Sequence, residues 1–245
     1  MRTFRRIILA ALLCAPAAAP AGEISITPYI WIPGVEGSVG TPGGDTGLGD
    51  RVSFDFNRFA DSIRLGGAMV NLAYRQDRFI VFGDWTYANV RSEAPTRLAL
   101  VYPTVQAQIK GNVLQLFNGY DILEEGSTTL GVFLGGRAYD LGAGLKLTGA
   151  AVPDLKADGA SFWIDAVAGL RLDSRFSNKW LLHLRGDLGA GGSNVSWQAY
   201  AGLGYEFSWG ALMAGYRHLY IDKGEGSLQT KLTLSGALVG AHFVL

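Results

Sequence analysis

From Phe162 to Asp173 the side chains alternate without a break. Phe162, Ile164, Ala166, Ala168, Leu170 and Leu172 fall on one face; Trp163, Asp165, Val167, Gly169 and Arg171 fall on the other. A period of two marks a strand, because successive side chains there point to opposite sides. The next segment repeats it, with Trp180, Leu182, Leu184, Gly186 and Leu188 against His183, Arg185, Asp187 and Gly189. The same rhythm runs through Glu23–Pro33, Arg64–Arg75, Arg78–Val90, Thr104–Leu123, Thr128–Leu141, Ser196–Phe207, Ala211–Asp222 and Gln229–Leu245. That makes ten candidate strands, most of them longer than the usual five or six residues. Helical periodicity is confined to Phe54–Ile63, read as a short helix over the barrel mouth or in a loop, and no run of about eighteen apolar residues follows the N-terminal leader.

The connections alternate in length. Gln76-Asp77, Glu124–Ser127 and Ser208–Gly210 are short and Ser174–Lys179 is moderate; Gly34–Ile63, Arg91–Pro103 and Gly142–Ala160 are long, with Gly191–Val195 and Lys223–Leu228 shorter members of the long set. Short turns on one rim and longer loops on the other characterise barrels that cross an outer membrane. No water satisfies backbone groups in the bilayer core, so a sheet survives there only when it closes and leaves no edge. The expected fold is therefore an all-β, transmembrane, antiparallel up-and-down barrel of about ten strands, with eight or twelve as alternatives.

Charge then assigns the faces, since Arg on the lipid face at mid-depth costs roughly 2–4 kcal/mol. Asp84 is placed inward with Phe79, Val81 and Trp85 outward; Arg137 inward with Val132 and Leu134 outward; Arg217 inward with Leu212 and Tyr216 outward. Lys110 and Asn112 are placed inward with Ile109 and Val113 outward, at the cost of a break in the pattern near Val113–Gln115, where a bulge is expected. The last strand is ambiguous, because Leu232 and Leu234 differ in parity from Phe243 and Leu245. The expected interior set is Asp84, Lys110, Arg137, Asp165, Arg171, Arg185, Asp187, Glu206 and Arg217, together with Arg75. A narrow barrel has little spare room, so these groups are read as a packed ion-pair network and, second, as a solute path. Trp31, Trp85, Trp180, Tyr29, Tyr87, Tyr216 and Tyr220 lie near strand ends, where interfacial aromatic girdles form.

Composition bounds the rest. Among 245 residues, 21 Lys+Arg balance 21 Asp+Glu, which argues against nucleic acid as a partner. Glycine is abundant, at 34 residues, and small residues permit sheet curvature. Residues 1–21 read as a secretory signal peptide: Arg2, Arg5 and Arg6, a short apolar run from Ile7 to Leu13, and small residues ending in Ala19-Pro20-Ala21. Residues 22–245 are then a single barrel domain. Its only cysteine, Cys14, lies in the leader, and Leu13 before it does not suit a lipoprotein signal.

The segments ITPYIWIPGVEGSVG (26–40), FIVFGDWTYANV (79–90), WIDAVAGLRLD (163–173), LRGDLGAGGSNVSWQAYAGLGYEF (184–207) and AGYRHLYID (214–222) resemble the small outer-membrane β-barrel proteins of Gram-negative bacteria. The resemblance implies a single barrel in the outer membrane and carries over no catalytic residue. Such barrels usually end in an aromatic residue; this chain ends Phe243-Val244-Leu245.

Chemistry is sparse. No zinc or nucleotide-binding spacing occurs, and no cofactor is expected. The three histidines, His183, His218 and His242, sit inside expected strands, away from loop acids such as Asp45 and Asp154. A hairpin through Lys223–Leu228 brings His218 opposite Thr233, with Ser235 diagonal to it; a Ser–His pair is what a lipid-modifying hydrolase needs. The expected function is a structural or surface-contact role without catalysis. The alternatives are a narrow pore for ions or small solutes, a lipid-modifying hydrolase, and a soluble secreted barrel. Expected partners are outer-membrane lipid and lipopolysaccharide and, during insertion, the barrel assembly machinery, with the protein a monomer.

Overall fold

The computed structural model describes residues 22–40, 52–55, 66–95, 104–148, 155–224 and 229–245. Eleven strands form: β1 (Glu23–Gly40), β2 (Val52–Asp55), β3 (Gly66–Gln76), β4 (Phe79–Pro95), β5 (Thr104–Glu125), β6 (Thr128–Thr148), β7 (Leu155–Phe176), β8 (Trp180–Gly191), β9 (Val195–Phe207), β10 (Gly210–Lys223) and β11 (Gln229–Val244). Consecutive strands from β3 to β11 pair antiparallel, β1 pairs with β3, and β1–β11 pairing closes the sheet into a ten-stranded barrel. The four-residue β2 is an extra, lying against the far end of β1 at Glu36–Val39. The expected fold class therefore forms, and the short helix does not begin where the periodicity placed it. Phe54 and Asp55 are extended in β2, and residues 56–63 lie outside the described set, as does the expected signal peptide.

The start of β1, the end of β11 and the short connections share one rim. The turns Asp77-Arg78 and Gly126-Ser127 are two residues long. Such turns need left-handed backbone, and Asp77 (φ 51°) and Gly126 (φ 59°) supply it. At the opposite end the strands outrun the sequence estimate: β1 continues to Gly40, β6 to Thr148, and β7 starts at Leu155. Backbone pairing continues there after the greasy-and-polar alternation has stopped, because the hydrogen-bond ladder does not depend on what the side chains face.

The outer face is apolar. Leu188 (67% exposed), Leu134 (66%) and Phe79 (65%) all point away from the lumen. An aromatic chain, Phe176–Trp180–Tyr205–Phe207–Trp209–Phe243, runs around the short-turn rim through ring pairs, the placement expected for an interfacial girdle. Tyr29 and Trp31 do not belong to a girdle: both point into the lumen, where Trp31 is buried and donates its indole N–H to the Gly236 carbonyl. Ile30 and Ile32 take the exposed face of β1 instead. A Cβ on Gly236 would collide with the Ile32 carbonyl, so glycine there permits the close seam under Trp31.

One inward reading is corrected and one ambiguity is resolved. In β5, Val113, Gln115, Phe117 and Asp121 are buried and Lys110 is exposed. The strand keeps its register through Val113–Gln115, and its irregularity lies at Asp121/Leu123. In β11, Leu232 and Leu238 are buried and Val239 is exposed. The misreading and the ambiguity share one cause: the lumen is not uniformly polar. Its end away from the short turns holds an apolar cluster that includes Trp31, Met69, Tyr139, Trp163, Leu219 and Ile221. A second cluster, Ile80, Phe82, Phe117, Phe133 and Val167, lines the wall nearer the short-turn end.

Candidate functional site: the lumen and its ring

Between the two apolar clusters, six side chains from six strands join in a closed ring across the lumen. Arg217 donates to Asp84 at 3.2 Å. Gln115 also donates to Asp84, at 3.2 Å, and its own carbonyl accepts from Arg137 Nε at 3.0 Å. Arg137 Nη2 donates to Asp187 at 2.6 Å. Asp187 accepts from Gln198 at 3.4 Å, and Gln198 accepts from Arg217 Nε at 2.8 Å, closing the circuit. Each glutamine receives from one arginine and gives to the aspartate held by the other. The ring is therefore neutral, and every link has a donor and an acceptor. All six residues are at most 6% exposed. Tyr29 braces it, donating to Asp84 and accepting from Arg217, both at 2.9 Å, and the Trp31 ring lies 4.7 Å from the Arg217 guanidinium carbon.

The remaining charges form separate groups. Asp165 does not meet Arg171. Its carboxylate accepts the Ser193 backbone N–H at 2.7 Å and the Ser196 hydroxyl at 2.8 Å, so the β8–β9 connection satisfies it without a cation. Arg171 bonds Asp121 and Asp173 at the short-turn rim; Arg75 shares Asp121, and His183 bonds Asp173 at 2.7 Å. Glu206 pairs with the exposed Arg175 on that rim. Arg185 lines the lumen below the ring, its guanidinium carbon 5.7 Å from the Phe82 ring centroid. Lys110, on the outward face, joins none of them.

Gln115 and Gln198 are the ring members that charge-based reading misses. Their signal is parity: each occupies an inward position, where a neutral side chain able both to give and to accept can relay between ions.

On the outer face, His218 and Ser235 are direct cross-strand partners with Oγ and Nδ1 2.6 Å apart, and the indole of Trp197 stacks on the imidazole at 4.4 Å. His183 and His242 lie toward the short-turn end; His242 Nδ1 is 2.9 Å from the Thr27 hydroxyl. All three histidines of the chain are thus away from the outer mouth. Among the described residues no group of three or more His, Cys, Asp and Glu is placed to hold a metal.

No protein-family model matches the chain, and no curated protein sequence does. Solved structures do. The outer membrane protease OmpT from Escherichia coli is similar over 95% of this chain and 99% of its own, with a TM-score of 0.55 and 8% identity. This chain has the fold of an outer-membrane β-barrel. Also similar are Ail, the attachment invasion locus protein of Yersinia pestis (91% of this chain, 100% of that one, TM-score 0.34, 13% identity), and neisserial surface protein A (89% and 96%, TM-score 0.36, 12% identity). At such identities the likeness is one of architecture, and the chemistry has to be argued from this chain's own residues.

Proposed function

We propose that this chain is a non-conducting barrel of the Gram-negative outer membrane, exported by the leader at residues 1–21. Its role is structural or surface contact through the long connections, as a monomer among lipid and lipopolysaccharide, inserted by the barrel assembly machinery. The observation that carries this reading is the ring. Arg137, Gln115 and Asp165 are out of reach of water, Gln198 nearly so, and Tyr139, Leu219 and Ile221 are fully buried beyond them. A solute path needs hydrated walls at this level, so the packing supports a sealed lumen over a pore. Reconstitution into a planar bilayer tests it: no discrete conductance steps are expected, and reproducible openings would overturn the reading. Recovery of the protein in the outer-membrane fraction is the matching test of location.

A second reading rests on the His218–Ser235 pair. A serine hydroxyl bonded to an imidazole is the minimal arrangement for activating a nucleophile, and this one faces lipid. Among the described residues no third side chain hydrogen-bonds the imidazole; Trp197 stacks on its face. The non-catalytic reading expects unchanged phospholipid and lipid A acyl profiles in cells carrying Ser235→Ala, and an altered profile would move the assignment to hydrolase.

A further inference from the structure

The ring borders open space on its short-turn side. Toward the short-turn end the lumen holds a cavity of about 320 Å3, at the small end of the range for ligand sites. Tyr29, Asp84 and Arg217 form its inner end, Arg75, Asp173 and His183 stand toward its mouth, and Ile80, Phe82, Met213 and Leu238 give it an apolar wall. The mouth residues are about one-third exposed, so the chamber opens to water.

Arg185 lines this chamber and differs from every other arginine of the lumen. Arg137, Arg171 and Arg217 each leave one buried guanidinium nitrogen without an acceptor but are anchored to a carboxylate; Arg185 also has a buried Nε without an acceptor and, among the described residues, forms no ion pair and no side-chain hydrogen bond at all. Its cross-strand partner on β7 is Arg171, a second cation. The acids around it are taken: Asp84 by Arg217, Tyr29 and Gln115, Asp173 by Arg171 and His183, Asp187 by Arg137 and Gln198. A guanidinium cannot shed its proton to escape an apolar setting, and an unpaired buried charge is costly. An anion entering the chamber would meet a free planar fork of donors suited to a carboxylate, with the Phe82 ring and the side chains of Ile80 and Met213 beside it.

We propose that the chamber binds a small amphiphilic monocarboxylate from the short-turn side, its carboxylate on Arg185 and its hydrocarbon against Ile80, Phe82 and Met213. The site is separate from the sealed-lumen reading and stands whether or not the barrel conducts.

The methionines supply the test. The chain has three, Met1, Met69 and Met213. Met213 lines the chamber, while Met69 lies in the apolar cluster beyond the ring, its sulfur accepting the Trp31 N–H. In protein labelled with 13C-methyl methionine and held in detergent micelles, hexanoate should shift the Met213 methyl resonance saturably and leave Met69 in place. Hexanol and hexylamine, which share the chain but not the anion, should not. Arg185→Gln should weaken hexanoate at least tenfold with the Met69 signal unchanged, Arg185→Lys should retain part of the binding, and Ala73→Leu, which fills the chamber beside Phe82, should abolish it. A Met213 shift that hexanol reproduces, one that survives Arg185→Gln, or none with hexanoate overturns the proposal. So does an Arg185→Gln protein that fails to fold, because the proposal holds that Arg185 has no structural partner.

Discussion

The ring and the chamber beneath it are built from the same residue types and behave oppositely. In the ring two arginines, two aspartates and two glutamines are linked around a closed circuit in which each arginine has a carboxylate partner. In the chamber, a few ångströms along the barrel axis, Arg185 is left over. Five arginines and five aspartates line the described lumen, but equal numbers do not mean equal pairing. Asp165 is satisfied by the neutral Ser193 and Ser196, and that leaves one arginine unmatched. Net charge along the lumen therefore says little about where a ligand would bind; what matters is which group lacks a partner.

Breaking the ring tests the contrast most severely. Asp84→Ala strands Arg217 and removes the acceptor for Tyr29 and Gln115. Loss of one partner of a buried pair costs about 3–5 kcal/mol, to be read as a lower denaturant midpoint in tryptophan-monitored unfolding in micelles. Next comes the wall itself. Leu134→Arg places a guanidinium on the lipid side about a third of the way along β6, with an expected cost of roughly 2–4 kcal/mol and a loss of the heat-resistant folded band on unboiled gels. Ser196→Ala removes one of the two donors to Asp165 and should cost about 1–3 kcal/mol in the same unfolding assay; an effect near zero would mean that Asp165 is satisfied by something other than the β8–β9 connection. Glu206→Gln, at the exposed rim pair with Arg175, should change stability by less than about 1 kcal/mol. An effect as large as that of Asp84→Ala would remove the distinction between buried circuit and surface pair.

Much of this architecture can be read in the amino acids. The alternation in β7 and β8 needs no structure to interpret, because Asp165, Arg171 and Asp187 each sit between residues that tolerate lipid. Parity puts Asp84, Arg137, Asp187 and Arg217 on one side of the wall. It does not say which will touch, because partners in the ring come from strands as far apart as β4 and β10, and the circuit passes through Gln115 and Gln198, which carry no charge to attract attention. The cost of a cation against lipid argues for placing Lys110 inward. In fact Val113 and Phe117 claim the interior, since the lumen has apolar stretches where hydrophobic side chains are as much at home as they are in lipid. The same misreading put Trp31 and Tyr29 in a girdle. A chain that is apolar on both faces of its wall defeats any rule that equates greasy with outward.

The seam between β1 and β11 joins residues from opposite ends of the chain, from Gly40 with Gln229 to Ser25 with Val244. Nothing can zip that joint until the final hairpin has been delivered, so the cylinder is completed in its last act, and a nascent form without β11 presents two raw borders, on β1 and on β10. Those borders are sticky to any unpaired strand. The vulnerable moment in the life of this protein is thus the interval before its two edges meet, and a chaperone that shields it must hold one edge while waiting for the other.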